Sequence, residues 1–296
     1  MLRRIPVVVA LSSFALFAQQ DTAVPKAVPA QATSPASPAP SAPTARAAAA
    51  TPIPISKPTD IPTDGSGPKI TFSQCHVDGQ YIALTFDDGP HATNTPRLLE
   101  MLKQRGIKGT FYCVGQCVAE YPEIAKRIVD EGHEIASHSW SHPQLSSMSE
   151  ASVRDQLEKT HQAIKQATGV EPKTFRPPYG AFTLRQRKWA NAVYGYKTIL
   201  WDVDTLDWKH RNPAKTESIG LAETKAGSII LTHDIHKTTI DAMPTLMDGL
   251  LAKGFKFVTV SELVAMDKPA PVKVKATVAN KAGEPKPASG SVKKAE

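Results

Sequence analysis

The sequence predicts an α/β domain whose parallel sheet closes into a (β/α)7 barrel, and three observations carry that expectation. Between Tyr81 and Met266, seven short apolar runs alternate with seven amphipathic segments. Glycines stand just past the helical stretches, at Gly106, Gly132, Gly169 and Gly254, where a helix C-terminus favours a left-handed residue. Reactive side chains fall just after five of the apolar runs. Alternation alone fits an open, doubly wound sheet as well as a closed one. Side chains at strand ends so far apart meet at one point only if the sheet curls around it. That favours a barrel, with its site at the carboxyl-end rim.

Strands are expected at Tyr81–Phe86, Gly109–Val114, Glu134–Ser137, Thr174–Arg176, Lys197–Val203, Ser228–Thr232 and Lys256–Val260. Helices are expected after each, at Thr95–Arg105, Pro122–Asp130, Ser149–Thr168, Thr183–Ala192, Pro213–Thr224, Thr239–Lys253 and Ser261–Met266. In the first of these, Leu98, Leu99, Met101 and Leu102 make one apolar face.

With 296 residues, 41% of them hydrophobic, the chain can bury one substantial core, but its composition is uneven. Residues 1–20 read as a secretory signal peptide: Arg3 and Arg4 precede an apolar run from Val7 to Phe17 that is too short for a comfortable membrane span. Ala18 suits a cleavage site and Leu16 does not, so an uncleaved anchor is the alternative. Residues 21–70 read as a Pro/Ala-rich disordered linker, 71–267 as the folded domain, and 268–296 as a basic disordered tail with seven Lys against two Glu. The formal charge of +7 therefore describes the ends of the chain. Nothing suggests nucleic acid, and a basic tail is ordinarily a solvated one. The expected product is an exported monomer in the periplasm or cell envelope, or secreted. It has no stable membrane span unless the signal is retained.

Cys75, Cys113 and Cys117 are the cysteines. Cys113 lies in an apolar run and is expected to be buried, which leaves Cys75 with Cys117 as the expected disulfide in an oxidising compartment. A zinc site from the three lacks a fourth ligand at suitable spacing.

The chemistry begins where Asp87 and Asp88 end the first strand, before Gly89 and Pro90 stop it. Paired carboxylates there are costly unless they bind a cation or do acid–base work. Turn chemistry is the plain alternative. His138 and His142 are four residues apart, and on a helical turn they would share a face and a metal. Two histidines and one aspartate leave open positions for water, which suits one divalent ion, zinc first, with cobalt or a similar ion able to substitute.

Thr85-Phe86-Asp87-Asp88-Gly89, His138-Ser-Trp-Ser-His142, Arg176-Pro177-Pro178-Tyr179-Gly180, Asp204-Thr-Leu-Asp207-Trp208 and Leu231-Thr232-His233 together resemble the five ordered motifs of the polysaccharide deacetylases. This is the NodB-homology domain of carbohydrate esterase family four, a distorted (β/α)7 barrel. The resemblance covers about Gln80 to Met266. It implies that Asp88, His138 and His142 hold the metal and that Asp87 is the general base. Arg176 would partner Asp87, where a bidentate guanidinium geometry suits the task and a structural ion pair is the alternative. His233 would be the general acid with Asp207 beside it, although Asp202 and Asp204 are also near in sequence. The Tyr179 backbone amide would complete an oxyanion hole, and Trp208 and Leu231 would wall a pocket for the acetyl methyl, unless they are simply core.

The remaining histidines, His76, His91, His133, His161, His210 and His236, share no spacing, and only His91 is placed to line a groove. Tyr112, Trp140 and Trp189 could stack on sugar rings, but aromatics in such positions are more often core. The resemblance implies de-N-acetylation of N-acetylglucosamine in a cell-envelope polysaccharide, peptidoglycan ranking first. Chitin or chitooligosaccharides and O-acetylated xylan are the other substrates. A non-catalytic glycan-binding envelope protein and a linker-tethered spacer are the readings from other classes.

Overall fold

The computed structural model describes residues 68–268, so the expected signal peptide, nearly all of the linker and the tail beyond Lys268 lie outside the described residues. Its strands are β1 (Thr71–Phe72), β2 (Tyr81–Asp87), β3 (Thr110–Cys113), β4 (Glu134–Ser137), β5 (Thr174–Phe175), β6 (Lys197–Ile199), β7 (Val203–Asp204), β8 (Ile229–His233) and β9 (Lys256–Phe257). All pair in parallel, in the order β1-β6-β5-β4-β3-β2-β8-β7, with β9 joined to β2. A bridge from Gln74 to Ser228 ties the chain after β1 to the entrance of β8, and the sheet curls into a distorted barrel.

The helices are α1 (Asn94–Arg105), α2 (Gly115–Glu120), α3 (Pro122–Asp130), α4 (Glu150–Thr168), α5 (Leu184–Tyr194), α6 (Asp207–His210), α7 (Pro213–Glu223), α8 (Lys237–Ala252) and α9 (Val260–Ala265). Gly106 and Gly169 cap α1 and α4 in the left-handed conformation, as their placement predicts. The expected fifth strand is broken. Its halves β6 and β7 pair with different neighbours, and between them Leu200 turns its carbonyl to Arg176 Nη2. Strand β1 and helices α2 and α6 have too few apolar positions to show a period.

Alternation along β2 explains where the site lies. Ile82, Leu84 and Phe86 face outward into a core shared with Leu98, Leu99 and Leu102 of α1 and with Met243, Leu246 and Leu250 of α8. Each of the α1 leucines is fully buried, contributing about 1.5–3 kcal/mol. Ala83 faces the barrel interior with Tyr112 and Ala136, so Thr85 and Asp87 share that inner row.

The expected Cys75–Cys117 disulfide is not present, and all three cysteines are free. The Cys75 amide donates to Gly227 O at the amino ends of the strands, whereas Cys117 lies in α2, past the carboxyl end of β3. A disulfide needs Cα atoms about 4.4–6.8 Å apart, and the length of the strands separates these two.

Candidate active site

Register brings the reactive residues together. Asp87 is paired with Tyr112 on one side and with His233 on the other, so two strand ends side by side carry a carboxylate and an imidazole. Arg176, directly after β5, crosses the barrel interior fully buried, its guanidinium 4.2 Å from the Tyr112 ring centroid. Its Nη1 donates to both Asp87 Oδ1 and Thr85 Oγ1 at 2.7 Å, and Nη2 donates to Leu200 O at 3.1 Å. The expected bidentate pair is therefore a single contact. The second nitrogen is spent on the broken strand, leaving Asp87 Oδ2 free of the guanidinium.

Asp88 departs from strand geometry with φ 76°, a conformation rare for residues with a side chain. The change turns its carboxylate toward His138 and His142. One ligand atom from each of these three residues lies within 4.8 Å of the others. The histidines do not sit on a helical turn, as their spacing suggests, but on a loop after β4 in which Ser139 and His142 have φ of 66° and 58°. Ser139 Oγ accepts from the His142 amide, and Gln156 Oε1 accepts from the amides of Trp140 and Ser141. These bonds replace the helical ones.

These residues fit a cation. Asp88 Oδ1 is buried without a hydrogen-bond donor, while the Nε2 atoms of His138 and His142 each stand 3.4 Å from it. His138 Nδ1 meets the Arg176 carbonyl at 2.7 Å. A carbonyl only accepts, so Nδ1 carries a proton and the ring turns Nε2 toward Asp88; in the neutral form that a metal ligand requires, the free lone pair is on Nε2. Burial alone would raise the Asp88 carboxyl, but His138, His233 and His142 outweigh it and hold the group well below the usual carboxylate range. An orphaned carboxylate oxygen facing two imidazole nitrogens is a donor set for a divalent metal ion.

On the opposite wall, His233 Nδ1 meets Asp207 Oδ1 at 2.8 Å. Asp207 also accepts from the His233 amide, the Trp208 amide and Thr239 Oγ1. Burial disfavours the His233 cation, but the bonded Asp207, then Asp87 and Asp88, lift its pKa to about 9. The nearby alternatives are committed elsewhere: Asp202 to Ser228 Oγ and the Ile229 amide, Asp204 to the Leu206 amide. Tyr179, with φ 59°, is 68% exposed and packs its ring edge-on to His142 at 4.7 Å between centroids. Trp208 is exposed beside Asp207, while Leu231 is buried in the row of Thr85 and Asp204.

Packing places the remaining histidine and aromatic candidates, and the aromatics follow the core reading. His91 Nδ1 accepts from the amides of Thr93 and Asn94 at the start of α1, so it caps a helix. Tyr112 and Trp189 are core, and Trp140 packs against Gly115. Sequence reasoning passes over Asp234. It is fully buried, one oxygen takes Thr95 Oγ1, the other lacks a partner, and burial and Asp88 raise its pKa to about 7. It lies against Gly89, where a Cβ would come within 2.5 Å of its Oδ1. The only sequence signal is a second carboxylate directly following His233.

With this geometry in place, the chain can be compared with known proteins. A family model described as polysaccharide deacetylase matches residues 76–199. A peptidoglycan-N-acetylglucosamine deacetylase of Listeria monocytogenes is 44% identical over 182 residues, covering 62% of this chain and 38% of that protein. The chain thus spans well under half the length of this relative. A peptidoglycan-N-acetylglucosamine deacetylase of Bacillus cereus is 37% identical over 191 residues, 63% of this chain and 69% of that one. Among solved structures, a carbohydrate esterase family four pseudoenzyme of Bacillus anthracis aligns with TM-score 0.62 and 33% identity, covering 66% of this chain and 68% of that one. Relatives of this fold therefore include one described as a pseudoenzyme, so the fold alone does not establish activity.

Proposed function

The chain belongs to the polysaccharide deacetylase family, and on that premise we propose that it hydrolyses N-acetyl groups of N-acetylglucosamine residues in a cell-envelope glycan, peptidoglycan first. The observation that carries the reading is the pairing of Asp87 with Arg176 and of His233 with Asp207 on neighbouring strand ends, both facing the Asp88, His138 and His142 donor set. A glycan-binding module needs neither a buried, oriented carboxylate nor an imidazole held as a cation.

A divalent ion, zinc by its donor set, would be held by Asp88, His138 and His142 and would supply Lewis acidity and an activated water. The chain's own groups perform the rest. Arg176 fixes Asp87 through Oδ1, leaving Oδ2 to accept the proton of the attacking water. The backbone N–H of Tyr179, a residue held in the left-handed conformation, would donate to the developing oxyanion. Asp207 holds His233 Nδ1, so Nε2 faces the site and delivers its proton to the departing amine. Water adds across the amide: the C–N bond breaks, acetate leaves and the sugar amine remains. Trp208 and Leu231 exclude water beside the acetyl methyl.

The protein acts as an exported monomer in the envelope, or secreted; the basic residues and apolar run of 1–20 support export. Among the described residues no helix is long and apolar enough to cross a membrane. The decisive experiment measures acetate release from peptidoglycan, chitooligosaccharides and acetylated xylan alongside bound metal. The expected order is peptidoglycan, then chitooligosaccharides, then xylan. Metal binding with no acetate from any of the three would replace this reading with glycan binding.

A further inference from the structure

The mechanism uses α6 only for its first residues, yet the helix ends in an unusual place. Eight arginines lie within residues 68–268, and seven of them meet a carboxylate or a backbone carbonyl. Arg211 is the exception: among the described residues its guanidinium has no ion-pair or hydrogen-bond partner. An arginine left unpaired on a surface where the others are engaged is available to a ligand.

Its position is fixed and close to the reacting groups. Arg211 closes α6 with φ 50° and ψ 39°, a conformation seldom adopted by residues with a side chain. Its amide donates to Asp207 O, the same residue whose carboxylate holds His233. The preceding residue anchors the turn: His210 Nε2 meets Thr205 O at 2.9 Å and its Nδ1 accepts from the Asn212 amide at 3.1 Å. The neighbour across the rim is His236, whose ring centroid is 6.0 Å from that of His233. Burial first, and then the Arg211 charge, push the His236 pKa down to about 4, so this ring is neutral at pH 7 and offers an N–H. Outward from the acid, the rim therefore presents His233, then the neutral His236, then the Arg211 cation on its anchored backbone, with the exposed Trp208 on the same short helix.

We infer that Arg211, with His236 beside it, forms an anion subsite that takes a carboxylate carried by the glycan next to the sugar being deacetylated. The inference rests on the deacetylase reading and narrows its substrate class from acetylated glycans in general to acidic ones. A neutral polymer offers only hydroxyls and amides to this guanidinium, whereas a carboxylate matches it in charge and in its two-oxygen geometry. In peptidoglycan the carboxylate has two sources: the lactyl ether of a neighbouring sugar that bears no peptide, or, where the lactyl carboxyl is amide-linked, the peptide itself.

The test compares wild type, Arg211→Gln and Arg211→Lys on three substrates of equal glycan length: chitooligosaccharide, peptide-free peptidoglycan strands, and strands bearing peptide. Arg211→Gln should raise KM about tenfold on the acidic strands, the scale of one charge-assisted contact, with kcat little changed. Arg211→Lys should recover part of the loss, and chitooligosaccharide turnover should fall less than about twofold, as a lost contact to a neutral group allows. Added salt should raise KM for acidic strands in wild type more than in Arg211→Gln. Loss on peptide-free strands assigns the lactyl carboxylate, and loss confined to peptide-bearing strands assigns the peptide. An equal change on all three substrates, or none on any, overturns the subsite. Calorimetric binding of peptide-free strands, peptide-bearing strands and chitooligosaccharide separates the two readings. A preference for acidic strands that Arg211→Gln removes, in a protein that releases no acetate, keeps the subsite and overturns the deacetylase. Acetate release with no such preference does the reverse.

Discussion

The two walls of the site are built on different principles. The wall formed by the ends of β2 and β4 is strained and incomplete: Asp88, Ser139 and His142 all have left-handed backbones, and Asp88 Oδ1 is buried with no donor. The wall formed by β8 and α6 is saturated, with both oxygens of Asp207 accepting two bonds each. Orphaned polar atoms and left-handed residues each cost on the order of 1–3 kcal/mol, so the first wall persists because the surrounding fold over-determines it. A cation would satisfy it; the second wall needs none.

The largest effects should come from breaking that contrast at its junction, the adjacent carboxylates. Asp87→Asn should cut turnover about a thousandfold, in the range of a lost general base, while metal content stays at the wild-type level. Asp88→Asn should abolish metal binding together with turnover. Metal analysis of both purified proteins decides the matter. Equal metal loss from each would make both residues ligands and leave the base unassigned.

A second test uses stability. Arg176 has no exposed surface, and removing one partner of a buried pair leaves the other charge uncompensated. Arg176→Met should therefore destabilise the domain by about 3–5 kcal/mol in urea unfolding. Loss below about 1 kcal/mol, the value of an exposed ion pair, would mean that water reaches Asp87.

A third test separates the walls by ligand. Zinc at a hundredfold excess over its Kd should raise unfolding stability by about 2.7 kcal/mol in wild type and in His233→Ala, and should have no effect in Asp88→Asn. A shift that survives in Asp88→Asn would place the ion elsewhere.

The same contrast explains which parts of the molecule are legible in the sequence. Strand β2 and its site carboxylates can be read because an apolar run and the Gly89-Pro90 stop are local signals. The His138–His142 spacing points to the correct residues and the wrong backbone, because side-chain bonds from Ser139 and Gln156 hold a loop where spacing suggests a helical turn. The break at Leu200 depends on Arg176, distant in sequence, and leaves no local mark. Choosing among Asp202, Asp204 and Asp207 needs three-dimensional proximity. Asp234 is hidden for the opposite reason: a carboxylate beside a strand end reads as solvent-exposed until its burial against Gly89 is seen.

The smallest expected effect at neutral pH concerns the saturated wall. The folded pKa of His233 is raised to about 9 by Asp207 first among its partners, with burial opposing. A raised value means that the protonated imidazole is favoured in the folded protein. Its contribution to stability is full below the ordinary imidazole pKa and is lost as pH rises through about 9. The same proton is the one delivered to the leaving amine, so kcat/KM should fall on the alkaline side as this group titrates. Asp207→Asn removes the charge but keeps a side chain of similar shape. It should move the alkaline limb to lower pH while leaving bound metal unchanged, and the loss at pH 7 should be smaller than at pH 8.5. Asp204→Asn should leave the limb in place, because that carboxylate caps the Leu206 amide instead. A limb that shifts in Asp204→Asn would reassign the partner, and one that shifts in neither would remove the carboxylate–histidine pairing from the proton transfer.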